Sequence, residues 1–393
     1  MRIAHIITRM ILGGAQENTL FCCEDLMRRY GDDVLLVTGP SIGPEGSLLD
    51  RARAGGVPLK MIDPLRRAIH PARDMAGYLE IKKTLRQFKP DVVHTHCAKG
   101  GMLGRAAAWS LGVPAVVHTV HGAPFHPWQG RGARRFFQAC ERWASRRCHA
   151  IVSVADAMTE LMVAADIAPR EKFTTIYSGM EVEPFLNAGK DRDRVRRELG
   201  YRPEHVVIGK IARLFKLKGH DDVIRAARLV VDQQPNVRFL FIGDGIFRER
   251  LGRQIADAGL TEVFQFTGLV PPERIPELIA ATDIVVHASL REGLARVLPQ
   301  ALISERPVVS YDVDGAREVV ISNETGYLIP PRDIEQLAVA LVRLAADPAL
   351  RERFGREGRR RFTDQFRHER MTERIRSLYE RVLENRENAE NFR

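Results

Sequence analysis

Two cationic side chains follow the first strand of a predicted second α/β domain, and their chemistry suits a diphosphate. Arg213 comes soon after the apolar run His205–Ile211, and Lys218 lies just before Gly219. Arginine binds phosphate oxygens through a planar fork, whereas lysine acts as a point charge. The pair therefore predicts a site in which protein cations, and not a metal ion, stabilise negative charge on a phosphorylated substrate.

A loop further along the chain presents a carboxylate together with backbone amides. The segment Glu292-Gly293-Leu294-Ala295 leads into a helix that holds Pro299 in its first turn, so the helix begins near Arg296–Leu298. Backbone N–H groups at such a helix start favour an anion. Gln300 follows in the first turns of the same helix, where its amide can both donate and accept a hydrogen bond.

Glycine-containing turns follow three other predicted strands. Gly13 and Gly14 come after the first strand of the chain, without the third glycine that a dinucleotide fingerprint needs. Gly243-Asp244-Gly245 and Gly268-Leu269-Val270 end two strands of the second half. Such turns either let a planar base or a phosphate lie against backbone, or are plain tight turns.

Histidines cluster at the ends of two strands in the N-terminal half: His94, His96, His118 and His121. His94 and His96 share a strand face, which is one arrangement that binds a metal. No carboxylate or cysteine at ligand spacing completes such a set, so we predict a polar wall of a cleft and no metal. The Asp-x-Asp triplets lie in a charged run and in a turn (Asp191–Asp193 and Asp312–Asp314), so we expect no divalent ion there either.

Short β-branched runs alternate with amphipathic helices along the chain, which predicts parallel sheets. The pattern runs through Phe173–Ile176 and restarts at His205; the segment Ser178–Tyr201, with its Gly, Pro and charged run, is predicted to be the inter-domain linker. We therefore predict an α/β fold of two Rossmann-like doubly wound domains, residues 1–178 and 190–370, facing across a cleft. Residues 371–393 form a charged helical tail, and its return to the N-terminal domain is left open.

The 393-residue chain has a net charge of +10 that is concentrated in its first half. Residues 1–180 hold 24 Lys and Arg against 16 Asp and Glu, which favours anionic partners. Aromatic and basic residues interleave in one segment only, so nucleic acid is not expected as a partner. Five cysteines, two of them adjacent, predict free thiols in a cytoplasmic protein, and no apolar run is long enough to span a membrane.

That one segment is Phe125–Arg147, which contains two Trp, three Phe and six Arg against a single acid. Ala133–Arg147 is predicted to be helical, with Phe136, Phe137 and Trp143 on one side. Two interpretations stay open. The helix either packs with a solvated basic rim, or it anchors the protein on anionic lipid at the inner face of the cytoplasmic membrane.

Taken together, these motifs resemble the retaining glycosyltransferases of family 4, which have the two-domain GT-B fold. The likeness covers nearly the whole chain and depends on the joint order of motifs that are individually loose. The motifs are Gly13-Gly14-Ala15, Asp91–His96, His118–Gly122, Ala212-Arg213-Leu214 with Lys218-Gly219, Ile242–Gly245, Phe266-Thr267-Gly268, Glu292-Gly293-Leu294, Pro307-Val308-Val309 and Gly326-Tyr327-Leu328.

The resemblance implies that the second domain binds a nucleotide sugar, with a UDP-sugar slightly favoured over a GDP-sugar. It also implies that the first domain binds a glycan or lipid-linked acceptor, with His94 and His96 on the acceptor side. Arg213 and Lys218 would hold the diphosphate, helped by the Leu294–Val297 amides. Glu292 would contact the sugar hydroxyls and His121 would face the sugar. The glycine turns, Val270 and Gln300 would contact the rest of the donor. No cofactor beyond the nucleotide sugar is implied, and the product would keep the anomeric configuration.

One position departs from the family pattern, in which a second Glu usually stands where this chain has Gln300. An amide can still hydrogen-bond a ribose diol, but without charge. The departure keeps open a non-catalytic nucleotide-sugar- or glycan-binding protein, and the shared fold keeps open a non-hydrolysing sugar-nucleotide epimerase. The order Arg213, Lys218, Glu292-Gly293 favours the transferase.

Overall fold

The computed structural model describes residues 1–42 and 46–391. The chain divides into two compact units, one formed by Met1–Met180 with the segment from Phe366 onwards, the other by Glu181–Gln365. Each unit is a parallel sheet covered by helices.

The first unit, within its described residues, has a seven-stranded sheet of order β3-β2-β1-β4-β5-β6-β7. Its strands are Arg2–Arg9 (β1), Asp33–Gly39 (β2), Leu59–Met61 (β3), Val92–His96 (β4), Ala115–Val120 (β5), Ala150–Ser153 (β6) and Phe173–Thr175 (β7). The helices between them are Gly14–Tyr30 (α1), Leu49–Ala54 (α2), Pro71–Phe88 (α3), Ala98–Ser110 (α4), Arg131–Ser145 (α5) and Asp156–Ala164 (α6). The four central strands are almost completely buried, because helices cover both faces of a parallel sheet.

The second unit, all of whose residues are described, has a six-stranded sheet of order β10-β9-β8-β11-β12-β13. Its strands are Val206–Ile211 (β8), Val237–Ile242 (β9), Phe264–Gly268 (β10), Ile284–His287 (β11), Val308–Tyr311 (β12) and Gly326–Ile329 (β13). Its helices are Glu183–Asn187 (α7), Arg192–Glu198 (α8), His220–Gln233 (α9), Arg248–Asp257 (α10), Ile275–Ala281 (α11), Val297–Ile303 (α12), Ile334–Ala346 (α13) and Pro348–Phe362 (α14).

The C-terminal helix His368–Asn391 (α15) packs on the first unit, where Met371, Ile375 and Tyr379 join the core beside α1. The chain enters this helix through a close contact, since a Cβ on Gly179 would lie 2.4 Å from the Cα of His368. The tail therefore does return to the N-terminal unit, and the returning segment starts at Phe366 rather than at the predicted residue 371.

The predicted linker needs correction. Most of Ser178–Tyr201 is helical and belongs to the second unit, where α7 and α8 lie and Val195 is buried. The charged run that suggested a linker is structural, because Arg192 and Arg196 pair with Asp283 at 2.5 and 3.0 Å. The second unit accordingly spans 181–365 and not 190–370.

Candidate active site

An ion pair lies at the carboxyl ends of β8 and β11 in the second unit. Nζ of Lys218 is 2.6 Å from Oε1 of Glu292, and the two side chains are only 23% and 20% exposed. Nε2 of His287, the last residue of β11, lies 3.5 Å from the same oxygen. The two residues predicted to bind the diphosphate and the sugar are thus in direct contact with each other.

Local backbone geometry brings Lys218 to this position. Leu217 has a positive φ of 68° and Gly219 one of 70°. A Cβ on Gly219 would lie 1.8 Å from the carbonyl oxygen of Ala288, so only glycine fits there. The amide of Leu290 donates to the carbonyl of Leu217 at 2.8 Å, which ties the lysine turn to the loop that carries Glu292.

Asp314 holds the Glu292 loop from the other side, and the sequence analysis did not assign it this role. Its Oδ2 accepts the backbone N–H of Glu292 at 2.6 Å, and the N–H of Gly315 donates to the carbonyl of Gly293 at 3.0 Å. Asp314 itself has a φ of 47°, which Asp tolerates better than most side chains. The available signal was the Asp312–Asp314 triplet, which was interpreted as a turn.

Burial and neighbouring charges together set the pKa values of the titratable side chains in this cluster. Burial alone would raise the pKa of Glu292, but the charge of Lys218 and the contact with His287 outweigh burial and leave that pKa well below its usual value. Lys210, on β8, is completely buried, and its Nζ has no hydrogen-bond partner in the described structure. Burial lowers the pKa of Lys210 to about 7.

Arg213 is exposed, and its guanidinium lies 5.2 Å from the ring centre of Phe215. The turn with Gly243 and Asp244 supports this loop: the N–H of Leu214 donates to the carbonyl of Asp244 at 2.9 Å, and a Cβ on Gly243 would lie 2.4 Å from the carbonyl of Ala212. Close packing is therefore one reason for glycine here. Contact of this turn with a donor stays a prediction.

In the first unit, buried imidazoles form a chain between β1, β4 and the end of β5. Nδ1 of His5 is 3.0 Å from Nε2 of His96, and Nδ1 of His96 is 3.1 Å from Nε2 of His121. His5 and His94 are register partners on β1 and β4, which sets the rings side by side. His121 also lines a pocket of about 140 Å³ together with Cys97, His118 and Glu141.

The prediction that His94 and His96 line the acceptor side needs correction, because both side chains are completely buried. One ring nitrogen of His94 hydrogen-bonds to Tyr379 of α15, and the other lies 2.6 Å from Oγ1 of Thr119. The strand face that carries both histidines is the one that α15 covers. Sequence spacing could not reveal this cover, since Tyr379 is 285 residues away from His94.

His5, His94 and His96 are close enough to hold a metal ion, since one nitrogen of each lies within 4.8 Å of the others. Five of their six ring nitrogens are already at hydrogen-bond distance from protein groups. Burial lowers the pKa of all three rings, so the rings are neutral at physiological pH. The cluster is therefore largely satisfied as a hydrogen-bond network.

Comparison with known proteins gives the family. Residues 13–179 match the model of the glycosyl transferase 4-like domain, and residues 191–361 match that of glycosyl transferases group 1. An alpha-D-kanosaminyltransferase from Streptomyces kanamyceticus is 30% identical over 291 residues, which are 70% of this chain and 73% of that protein. This chain belongs to the group 1 glycosyltransferases.

Other comparisons agree with this membership. The UDP-Gal:alpha-D-GlcNAc-diphosphoundecaprenol alpha-1,3-galactosyltransferase of Escherichia coli is 29% identical over 354 residues, 89% of each chain. The crystal structure of Anabaena Alr3699/HepE in complex with UDP superposes with a TM-score of 0.81 at 21% identity and covers 96% of this chain and 99% of that one. The predicted GT-B architecture and the resemblance are confirmed, and neither the epimerase nor the non-catalytic alternative is favoured.

The remaining predicted donor residues of the glycosyltransferase lie in three places. Gly293 and Ala295 are buried and Leu294 is half-buried in the loop before α12, while Gln300 is half-buried within α12. Val270 is half-buried against the cluster of α8, β9 and α11. Gly13 precedes α1 and Gly14 begins it, with the carbonyl of Gly13 accepting the N–H of Glu17 at 3.0 Å. Their roles in donor binding stay predictions.

The aromatic-basic helix α5 of the glycosyltransferase is only partly packed. Glu141, Ala144 and Ser145 at its C-terminal end are buried, and Oε2 of Glu141 pairs with Nη2 of the buried Arg105 at 2.9 Å. Phe136 and Trp143 are 54% and 42% exposed. The alternative of a packed helix with a solvated basic rim therefore does not account for these two exposed rings, and the membrane anchor stays a prediction. No described helix is both long and apolar enough to cross a membrane.

Proposed function

We propose that this glycosyltransferase transfers a hexosyl or N-acetylhexosaminyl group from a UDP-sugar to a glycan or lipid-linked acceptor, with retention of configuration. The observation that carries the proposal is the Lys218–Glu292 pair at the strand ends, with Arg213 on the loop that leads from β8 to Lys218. UDP in the HepE complex and the UDP-Gal donor named for the Escherichia coli relative support the choice of nucleotide. One relative is named for capsular polysaccharide biosynthesis and another for transfer to a diphosphoundecaprenol-linked sugar, which supports a role in polysaccharide or glycolipid biosynthesis.

The chemistry requires negative charge to develop on the departing diphosphate. Lys218 and Arg213 would stabilise that charge, a contribution worth roughly 3–4 kcal/mol for each donor at comparable sites. When the ammonium group of Lys218 binds phosphate oxygens, the carboxylate of Glu292 can accept hydrogen bonds from sugar hydroxyls in place of the lysine. Cations of the protein would then replace a metal ion. The leaving phosphate would help to deprotonate the acceptor on the same face of the sugar, which gives retention.

The direct test is an activity screen. Purified protein is incubated with UDP-glucose, UDP-galactose, UDP-GlcNAc or the GDP-sugars, together with undecaprenyl-diphosphate-linked GlcNAc, and the product is detected by mass spectrometry. Proton NMR of the product then gives the anomeric configuration, which should match that of the donor. Lys218→Ala is the inactive control. An inverted product would contradict retention, and preferred use of GDP-sugars would contradict the nucleotide assignment.

A lipid-linked acceptor gives the exposed face of α5 a role as an interfacial anchor. All three tryptophans of the chain, Trp109, Trp128 and Trp143, lie in the first unit and are more than 40% exposed. Arg131, Arg134 and Arg135 are exposed at the start of α5, the helix that also carries Trp143. Aromatic rings at headgroup depth and basic residues on anionic lipid, about 1 kcal/mol each, are the usual elements of such an anchor.

Vesicle sedimentation tests the anchor. Wild-type protein should co-sediment with phosphatidylglycerol-containing vesicles at low salt, and charge reversal at Arg131, Arg134 and Arg135 should release it. Charge reversal at Lys190, Arg197 and Arg253, which are exposed on the second unit, is the matched control and should retain binding. Equal release by both triple variants, or no binding of the wild type, would refute the anchor.

A further inference from the structure

The imidazole chain of the first unit ends at the residue proposed to contact the sugar. Its members are His5 on β1, His96 at the end of β4, and His121 just after β5. The two nitrogen–nitrogen distances of 3.0 and 3.1 Å are those of N–H···N hydrogen bonds. Each bond needs one protonated and one unprotonated nitrogen, so the tautomers of the three rings depend on each other.

Counting protons leaves two arrangements. Burial lowers the pKa of His5 to about 3 and that of His121 to about 4, and holds the pKa of His96 well below its usual value. Each ring is therefore neutral near pH 7 and carries one N–H. Two of the three N–H groups make the two hydrogen bonds, and the third must lie at one end of the chain, on Nε2 of His5 or on Nδ1 of His121.

The environments of the two ends decide between these arrangements. Nε2 of His5 is completely buried and has no hydrogen-bond partner in the described part of the chain. His121 is half-buried and lines the pocket of about 140 Å³. A buried N–H without an acceptor is among the rarest groups in proteins, so the spare N–H belongs at the pocket end. His5 then donates to His96, and His96 donates from Nδ1 to Nε2 of His121.

We propose that His5 and His96 are positioning residues that hold His121 as its Nδ1–H tautomer, so that His121 donates a hydrogen bond to an oxygen of the sugar substrate. The proposal rests on the proposed function for the role of His121. His94 provides a contrast within the same buried layer. Its nitrogens bond to Tyr379 and Thr119, so it lies outside the chain of three although its ring centre is only 4.3 Å from that of His96.

The first test needs no substrate. Long-range proton–nitrogen NMR on protein labelled with ¹⁵N-histidine distinguishes a protonated from an unprotonated ring nitrogen. We expect a protonated Nδ1 and an unprotonated Nε2 on His121 in the wild type, and mixed tautomers in His5→Phe. Tyr379→Phe, which alters the contact to His94, should leave His121 unchanged. A protonated Nε2 on wild-type His121 would overturn the proposal, as would a stoichiometric metal ion bound by the histidines.

The second test is a double-mutant comparison of kcat/KM. His96→Leu should lower kcat/KM about tenfold, the scale of one hydrogen bond, while His96→Asn keeps an N–H near the position of Nδ1 and should restore most of the loss. In a His121→Ala background, His96→Leu should have no further effect. A further loss in that background, at unchanged melting temperature, would show that His96 acts independently of His121.

The two tests separate this inference from the proposed function. If NMR gives the expected tautomer but His121→Ala keeps full activity, the tautomer assignment stands and the sugar contact is wrong. If the tautomer differs, the positioning role fails whatever the activity. Should His96→Leu not fold, the wild-type spectrum and the His5→Phe variant still decide the matter.

Discussion

The histidine cluster of the first unit and the Lys218–Glu292 cluster of the second hold their polar groups in opposite ways. In the second unit, Lys218 and Glu292 keep their charges because they pair at 2.6 Å, with His287 beside them. In the first unit, His5, His96 and their neighbours are neutral, and hydrogen bonds between rings replace ion pairs. Burial tolerates a charge only beside an opposite charge, as for Arg105 and Glu141 elsewhere in the first unit, so the neutral imidazole chain can direct a hydrogen bond but cannot supply a cation. We expect only the second unit to stabilise a leaving diphosphate.

Among the buried side-chain nitrogens for which the described residues offer no hydrogen-bond partner are Nζ of Lys210 in the second unit and Nε2 of His5 in the first. The lysine is the more sensitive of the two, because its pKa of about 7 lies at physiological pH. Added negative charge nearby would favour its protonated form, whereas His5 stays neutral down to a pH of about 3. The contrast follows from the neighbours: burial and the charge of Lys218 lower the pKa of Lys210 while Glu292 and Asp222 raise it, whereas only burial acts on the pKa of His5.

The largest effect on activity is expected from the cations of the second unit. Lys218→Ala and Arg213→Ala should each lower turnover by about 10²-fold or more, because each removes a charge that stabilises the leaving group. Lys216→Ala is the matched control, since Lys216 is exposed on the same loop. Steady-state kinetics with a UDP-sugar measure the effect. Wild-type turnover in either variant would remove these residues from the diphosphate site.

Lys218→Ala should also cost some stability, which a fully solvated cleft residue would not. The structure makes Lys218 the partner of a largely buried carboxylate, and its loss leaves Glu292 with only His287 beside it. Arg213 is exposed, so Arg213→Ala should leave the melting temperature unchanged. Equal melting temperatures for the two variants would show that the Lys218–Glu292 pair contributes no net stability.

Acid should loosen the first unit before the second. A histidine whose pKa is lower in the folded state binds fewer protons there than in the unfolded chain. Its contribution to the free energy of unfolding is therefore fully present above pH 6.5 and is lost as the pH falls toward the folded pKa. That pKa is about 4 for His121 and about 3 for His5. Over this pH range, each such histidine lowers the free energy of unfolding by up to about 1.4 kcal/mol for every unit by which the pH falls. In the described residues the first unit has four buried histidines of this kind and the half-buried His121, against two buried ones in the second (His5, His94, His96 and His118; His220 and His287).

Hydrogen exchange followed by mass spectrometry measures this difference. Between pH 6.5 and 5.0, after correction for intrinsic exchange rates, peptides of the first unit should lose protection first. In His5→Phe, unfolding of the first unit should take up about one proton fewer, so the protection of its peptides should depend less steeply on pH. Loss of protection in the second unit at the higher pH would contradict the assignment of neutral histidines.

A smaller effect is expected at Gln300. Gln300→Glu should be tolerated and should tighten the UDP-sugar by a few-fold, because it introduces the residue more usual in the family and a charged acceptor for a ribose diol. Calorimetric titration with the UDP-sugar gives the Kd, with Gln300→Ala as the weakened control. A large loss of affinity in Gln300→Glu would indicate an acidic group close to this side chain when the donor is bound.

The smallest effect should come from removing divalent metal ions. The cations of the second unit neutralise the diphosphate, and the histidines of the first already bond to protein groups. Turnover in excess EDTA should therefore match that of the untreated enzyme. A loss that Mg²⁺ or Mn²⁺ restores would show that the protein cations are insufficient.

Local sequence signals were enough for the strands, the helices between them and the turns that follow. Lys218-Gly219 could be placed in a turn after β8 because a glycine with positive φ is a local feature within a few residues of the strand end, whereas its close approach to Ala288 is a tertiary contact. The start of α12 at Val297 could be predicted from Pro299 for the same reason. The strands β3 and β13 were not predicted, because neither of them contains a run of β-branched residues.

Contacts between distant residues decided the rest. The sequence by itself determined that Lys218, Glu292, His96 and His121 follow strands, and parallel sheets place such residues at one edge. Only the tertiary structure decided that Lys218 pairs with Glu292 across 74 residues and that His5 joins His96 across 91. Helix α15, arriving from the far end of the chain, converted a strand face predicted to meet the acceptor into core. The sequence of a strand in a parallel sheet does not indicate which helix will cover it. The burial of its side chains, and with it their charge and tautomeric state, therefore depends on the assembled fold.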